Sequence, residues 1–83
     1  MAFKFDKKGE GIFTLDCQGF TSTLSQKFTK KMLKTMSFGN ILEVIFDKPS
    51  SSESIIEMCT GSGNRIIDKK EADGKYIYLI KKG

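Results

Sequence analysis

The run Ile41-Leu42-Glu43-Val44-Ile45-Phe46 puts the tightest limit on how this chain can fold. Five of its six residues are apolar, so neither face of an extended segment would be polar enough to lie bare in water. A run of this length reads as a strand, and its nearly continuous apolar character asks for a central, well-covered position in a sheet. Asp47-Lys48-Pro49-Ser50 ends it, because proline has no N–H to give to a ladder.

The rest of the chain supplies partners and cover. Ile12-Phe13-Thr14-Leu15-Asp16-Cys17 is a short β-branched and aromatic run that Gly19 interrupts. From Leu24 the period changes. Leu24, Phe28, Met32 and Met36 recur every four residues with Leu33 beside them, and Lys27, Lys30, Lys31 and Lys34 fall between. That is an amphipathic helix with a basic outer side. Thr23 and Gln26 have capping-box spacing at its start, and Gly39-Asn40 is a stop signal. Ser50 to Glu53 holds a second capping box, opening a shorter helix through Ile55, Ile56, Met58 and Cys59 that Gly61-Ser62-Gly63 closes. Arg65 to Lys69 reads as a strand, Asp73-Gly74 as a hairpin turn, and Lys75 to Lys81 as the last strand.

The order β-α-β-α-β-β predicts an α/β chain of the α+β two-layer sandwich type. Two helices cannot cover both faces of a mixed four-stranded sheet, so both are expected on one face. The first β-α-β unit is expected to be a right-handed parallel crossover and the last two strands an antiparallel hairpin. One sheet face then stays open. Tyr76, Tyr78 and Ile80 alternate with Ile77 and Leu79, so that open face can be apolar and can pair two copies of the chain as a homodimer. Residues 1–10, ending in Gly9-Glu10, read as a charged, mobile leader, and 11–83 as a single domain.

Composition excludes whole classes of chemistry. The 83 residues include no His and no Trp, which removes His-based acid/base catalysis, Ser-His-Asp and Cys-His nucleophiles, and His-ligated metals. Two cysteines cannot make a four-Cys zinc site, and they read as reduced thiols rather than as a secreted disulfide scaffold. No metal and no cofactor are expected. The first residues lack the apolar core of a signal peptide, and no apolar stretch approaches the roughly 20 residues that span a bilayer. A cytoplasmic protein with no membrane partner is therefore expected. The net charge of +4 is mild, and Arg65 is the sole arginine. Arginine carries most bidentate base and phosphate recognition, so the charge alone is a weak nucleic-acid signal.

The segment Leu15-Asp16-Cys17-Gln18-Gly19-Phe20-Thr21-Ser22-Thr23-Leu24-Ser25 resembles the opening of the TusA/SirA family of sulfur-transfer proteins, whose pattern is Leu-Asp-x-x-Gly-Leu-x-Cys-Pro-x-Pro. Further likenesses extend it to about residue 82. Lys30 and Lys31 match its basic helix residues, and Gly39 its helix-ending glycine. Asp47-Lys48-Pro49 resembles its Asp-x-Pro, and Cys59 with Gly63-Asn64 its Cys-x-x-x-Gly-His, with Asn in place of His. The resemblance implies a small sulfur carrier, a sulfurtransferase by activity, that takes a persulfide sulfur on the Cys of Cys-Pro. It also implies a cysteine desulfurase or sulfur-relay protein as partner.

At that carrier position this chain has Ser22, with Thr23 and Ser25 where the family has prolines. A hydroxyl forms no persulfide, and no base is at hand to activate it. Ser22 then reads as a cap or turn residue in Thr21-Ser22-Thr23. The leading expectation is a divergent member without persulfide transfer at this site, serving as a binding or regulatory partner. Two alternatives remain open. Cys17, five residues earlier, can be a relocated carrier if it is exposed, while Cys59 reads as core. The stripe Lys27, Lys30, Lys31, Lys34 can dock an acidic protein surface or nucleic acid, although solvated lysines are the commoner case. Tyr76 and Tyr78 read as cross-strand packing rather than as a base-stacking platform.

Overall fold

A computed structural model of the chain describes residues 4–9 and 11–83. The elements are β1 (Lys4–Gly9), β2 (Ile12–Asp16), α1 (Ser22–Thr35), β3 (Ile41–Phe46), α2 (Pro49–Ser62), β4 (Arg65–Ala72) and β5 (Lys75–Lys81). They build one sheet in the order β1-β2-β3-β5-β4. The expected two-layer arrangement of two helices on a mixed sheet is present, and a strand that sequence reading did not find precedes it. β1 runs antiparallel to β2, with Lys4 opposite Asp16 and Phe5 opposite Leu15. Lys4–Gly9 is therefore part of the sheet, a correction to the boundary expected at residue 11. The remaining leader positions, 1–3 and 10, lie outside the described residues. Charge density hid this strand, because Lys4-Phe5-Asp6-Lys7-Lys8 carries only one apolar residue.

β2 and β3 pair in parallel, Thr14 opposite Glu43, with α1 as the crossover. β5 then slots antiparallel between β3 and β4. The β4–β5 turn has positive φ at both Asp73 (52°) and Gly74 (76°). Two-residue hairpins whose twist matches the strands need that conformation, and Asp-Gly supplies it with little strain.

β3 is central, as its composition demands, but it alternates. Leu42, Val44 and Phe46 are fully buried under the helices, while Ile41, Glu43 and Ile45 are only half-buried on the other face. Cover is thus complete on one side alone. Leu15, Phe20, Leu33, Ile55, Met58, Tyr78 and Ile80 complete the core.

Three local expectations change. Thr21, not Thr23, caps α1, its Oγ1 accepting the Leu24 N–H at 3.2 Å. In α2 the cap is Lys48, without a side-chain bond, and Pro49 takes the first helical position, where its fixed φ suits a helix start. The buried side of α1 is Ser25, Thr29, Leu33 and Met36; Leu24 is 37% exposed, and Phe28 and Met32 pack only at the core's margin. Geometry explains the last change. Ser25, Thr29 and Leu33 have the same four-residue spacing but lie one residue, about 100°, further round the helix, and it is their line that the sheet meets while the apolar stripe runs along its margin. Met36 is where it meets the core.

Candidate functional site

The loop from Asp16 to Thr21 joins the C-terminal end of β2 to the N-terminus of α1, and side chains hold it from both ends. Asp16 Oδ1 accepts the Gln18 backbone N–H at 3.0 Å and its side-chain amide at 3.1 Å. Asp47, just past β3, accepts the Gly19 N–H on Oδ2 at 3.0 Å. Gly19 has φ +83°, a conformation that glycine reaches without a Cβ clash. Cys17 N–H donates to the Ile45 carbonyl at 2.7 Å, extending the β2–β3 ladder by one residue. The Ser25 N–H donates to the Thr21 carbonyl at 2.9 Å and starts the helical ladder. Ser22 is thereby set in the first turn of α1, half-buried, with Thr21 and Thr23 exposed on either side. That turn is where free N–H groups and the helix dipole favour a negative charge.

Cys17 faces the other way. It is fully buried beneath α1, with the hydroxyls of Ser25 and Thr29 beside it. Burial, reinforced by the Asp16 carboxylate and only partly offset by the two hydroxyls, pushes its thiol up to about 11. The hydroxyls lower the thiol's pKa, yet neither makes a hydrogen bond of normal geometry. Cys59, 1% exposed on α2, is likewise raised to about 11 by burial. Neither thiol is in the accessible, electropositive setting that makes a cysteine reactive.

Both thiols leave a mark on stability. The folded chain keeps its thiol protons through the range in which the unfolded chain loses them, so it is the protonated thiols that favour folding. That contribution is complete below about pH 9 and is lost as pH rises to about 11, amounting to about 2–3 kcal/mol per thiol. Urea unfolding on both sides of this window should show a steeper alkaline loss for the native chain than for Cys17→Ala or Cys59→Ala. Equal losses would mean that these thiols are open to water.

Lys27, Lys30, Lys31 and Lys34 all lie exposed along α1, and among the described residues none is ion-paired with an acid. Arg65 and Lys69 lie elsewhere. With Ile56, Cys59 and Ile66 they line a groove of about 470 Å³ between α2 and β4, and the Lys69 ammonium sits 5.9 Å from the centre of the Tyr78 ring. Tyr78 is core, its phenol hydrogen-bonded to Ser52, and Tyr76 stacks on Phe46. Sequence reading missed Asp47 as the clamp on the loop, although its Asp-x-Pro context was visible. It also missed Ser25 and Thr29 as neighbours of Cys17. Their four-residue spacing was a signal, hidden by the more conspicuous apolar stripe one position away.

The family model described as sulfurtransferase TusA matches residues 13–82. The sulfur carrier protein TusA of Allochromatium vinosum is 37% identical over 68 residues, which cover 82% of this chain and 90% of that protein. The sulfur carrier protein TusA of Pseudomonas entomophila is 29% identical over 69 residues, covering 83% of this chain and 86% of that one. Among solved structures, a SirA-like protein from Desulfitobacterium hafniense superposes with a TM-score of 0.75 at 26% identity, over 87% of this chain and 97% of that one.

Proposed function

We propose that this chain, which belongs to the TusA family of sulfur carriers, takes part in sulfur relay as a binding or regulatory partner and does not carry sulfur at the family's usual position. The observation that supports this reading is Ser22. A hydroxyl stands in the first turn of α1, where a thiolate would be stabilised, and both thiols of the chain are buried with raised pKa values. Around that position Asp47 still clamps the loop and Thr21 caps α1, although Thr23 and Ser25 stand where the family has prolines. A surface that a relay partner recognises can therefore outlast the chemistry it once served. Its chemical character follows from the exposed lysines of α1, which suit an acidic docking surface on a cysteine desulfurase or relay protein.

The test is incubation with a cysteine desulfurase and radiolabelled cysteine, with complex formation measured in parallel. The expected result is binding that weakens with added salt and no stable label on the chain. Stable label would overturn the proposal, and mapping it to Cys17 would return the carrier role to that thiol.

A further inference from the structure

The groove between α2 and β4 has a cation at either end. Ile56 and Cys59 line it from α2 and Ile66 from β4, with Lys69 at the Ile56 end and Arg65 at the Gly63 end. Lys69 and Arg65 pair with Tyr78 and Lys81 on β5, three ladder steps apart, which sets the two about 10 Å from each other. No side-chain carboxylate lines the groove. Among the described residues the Arg65 guanidinium makes no hydrogen bond or ion pair. The Asn64 side chain beside it is engaged only through Oδ1, which accepts the Gly83 N–H at 3.0 Å, so its N–H2 group is free. The carbonyls that end α2 carry about half a negative charge, too little to offset two whole cations.

A break in the β4–β5 register puts the second cation there. Arg65 and Ile66 pair with Lys81 and Ile80, but Asp68 and Lys69 pair with Leu79 and Tyr78, so Ile67 is an extra residue, a β-bulge. In an unbroken ladder Asp68 would stand opposite Tyr78, on the helix side. With the bulge, Lys69 stands there instead, its ammonium 5.9 Å from the centre of the Tyr78 ring, at the outer limit of a cation–π contact. Asp68 is turned away, its carboxylate accepting the Lys69 backbone N–H at 2.9 Å and lying 3.8 Å from the Lys70 ammonium. Glu71 follows Lys69 on the helix side, yet it forms no ion pair with it and does not line the groove. Bulges re-aim side chains beside binding sites, and this one exchanges an acid for a base.

We infer that the groove is a docking site for an extended acidic segment of a partner protein. Two carboxylates of the segment meet Arg65 and Lys69, and an apolar side chain between them lies on Ile56 and Ile66. Cations about 10 Å apart cannot close on one small anion, whereas an extended peptide spans that length in about three residues. The floor is aliphatic and the nearby Tyr78 ring is buried, so there is no platform on which nucleic-acid bases could stack. α2 packs against α1 on another side and separates the groove from the α1 lysines. Docking here therefore depends neither on Ser22 nor on those lysines.

Heteronuclear NMR of the full chain, titrated with the blocked peptide Gly-Glu-Val-Leu-Glu-Gly, tests it. Shifts confined to α2, the Gly63-Asn64 turn and β4 are expected, fading with added salt. Arg65→Gln and Lys69→Gln should each weaken binding about fivefold or more, while Lys75→Gln, which removes the same charge at the hairpin, should not. Deleting Ile67 should restore the unbroken ladder, set Asp68 in the groove and abolish binding. The two Gln variants keep the test decisive if that deletion unfolds the chain. Absence of groove shifts at millimolar peptide overturns the inference. So does binding indifferent to Arg65→Gln and Lys69→Gln, or a weakening shared equally by Lys75→Gln. Inorganic phosphate that shifts the same amides as strongly, or a short single-stranded RNA that binds there more tightly, overturns it as well.

Discussion

Ser22→Cys is expected to take up one sulfur atom per chain from a cysteine desulfurase, and the native protein, on the function proposed above, is expected to take up none. The substitution is nearly isosteric and stands in the first turn of a 14-residue helix already capped by Thr21, so folding should be little affected. Unpaired N–H groups and the positive end of the helix dipole stabilise a thiolate at that position. The new thiol should therefore ionise below the ordinary cysteine value of about 8.5 and alkylate much faster than Cys17 or Cys59. Thr23 and Ser25 remain where the family has prolines, and the Ser25 N–H, which proline would lack, donates to the Thr21 carbonyl. Uptake by the single variant would show that the missing atom is the sulfur and that the rest of the apparatus is intact. A variant with a fast-reacting thiol and no uptake would locate the loss in partner recognition instead. A thiol that ionises at the ordinary value or above would refute the electrostatic account of the site.

The largest loss of stability is expected from Phe46→Ala. Phe46 is fully buried at the end of β3, stacked on Tyr76 with ring centroids 5.2 Å apart and edge-on to Tyr78 at 5.0 Å. Truncation removes the ring's burial and both aromatic contacts and leaves a cavity between the sheet and the helices, at a cost of about 3–5 kcal/mol. A small domain has about 5–15 kcal/mol in all, so most of the folded population is at stake. Urea denaturation should show the midpoint falling steeply, with Phe46→Leu intermediate. Phe38→Ala is the control. That ring is 83% exposed, and its loss should change stability by about 0.5 kcal/mol or less. Similar effects from the two alanine variants would contradict the position assigned to Phe46.

Ile41–Phe46 announced itself as the central strand because its run of large side chains can be hidden only in the middle of a sheet. Asp73-Gly74 announced a hairpin because few other pairs accept positive φ at both positions. The family was legible for a similar reason: Leu15-Asp16, Gly19, Asp47-x-Pro49 and Gly63 serve a local geometry each, and such residues hold their spacing. Ser22 was legible as a departure from that pattern before any fold was known.

Local sequence could not decide among near-equivalent choices. Thr21, Ser22 and Thr23 are all competent helix caps, and Thr21 was selected by where the Gly19 turn delivers the chain. The inner face of α1 was settled by close contact with the sheet, which admits Ser25 and Thr29 over Cys17 and leaves Leu24 outside. β1 took its place through pairing with β2, and hydrogen bonds between strands depend on little in the side-chain pattern of a charged edge. The reach of Cys17 belongs to the same class. One-dimensional order showed a thiol five residues from the carrier position, and only packing could turn it inward, because burial is a property of what lies opposite a residue and not of the residue itself.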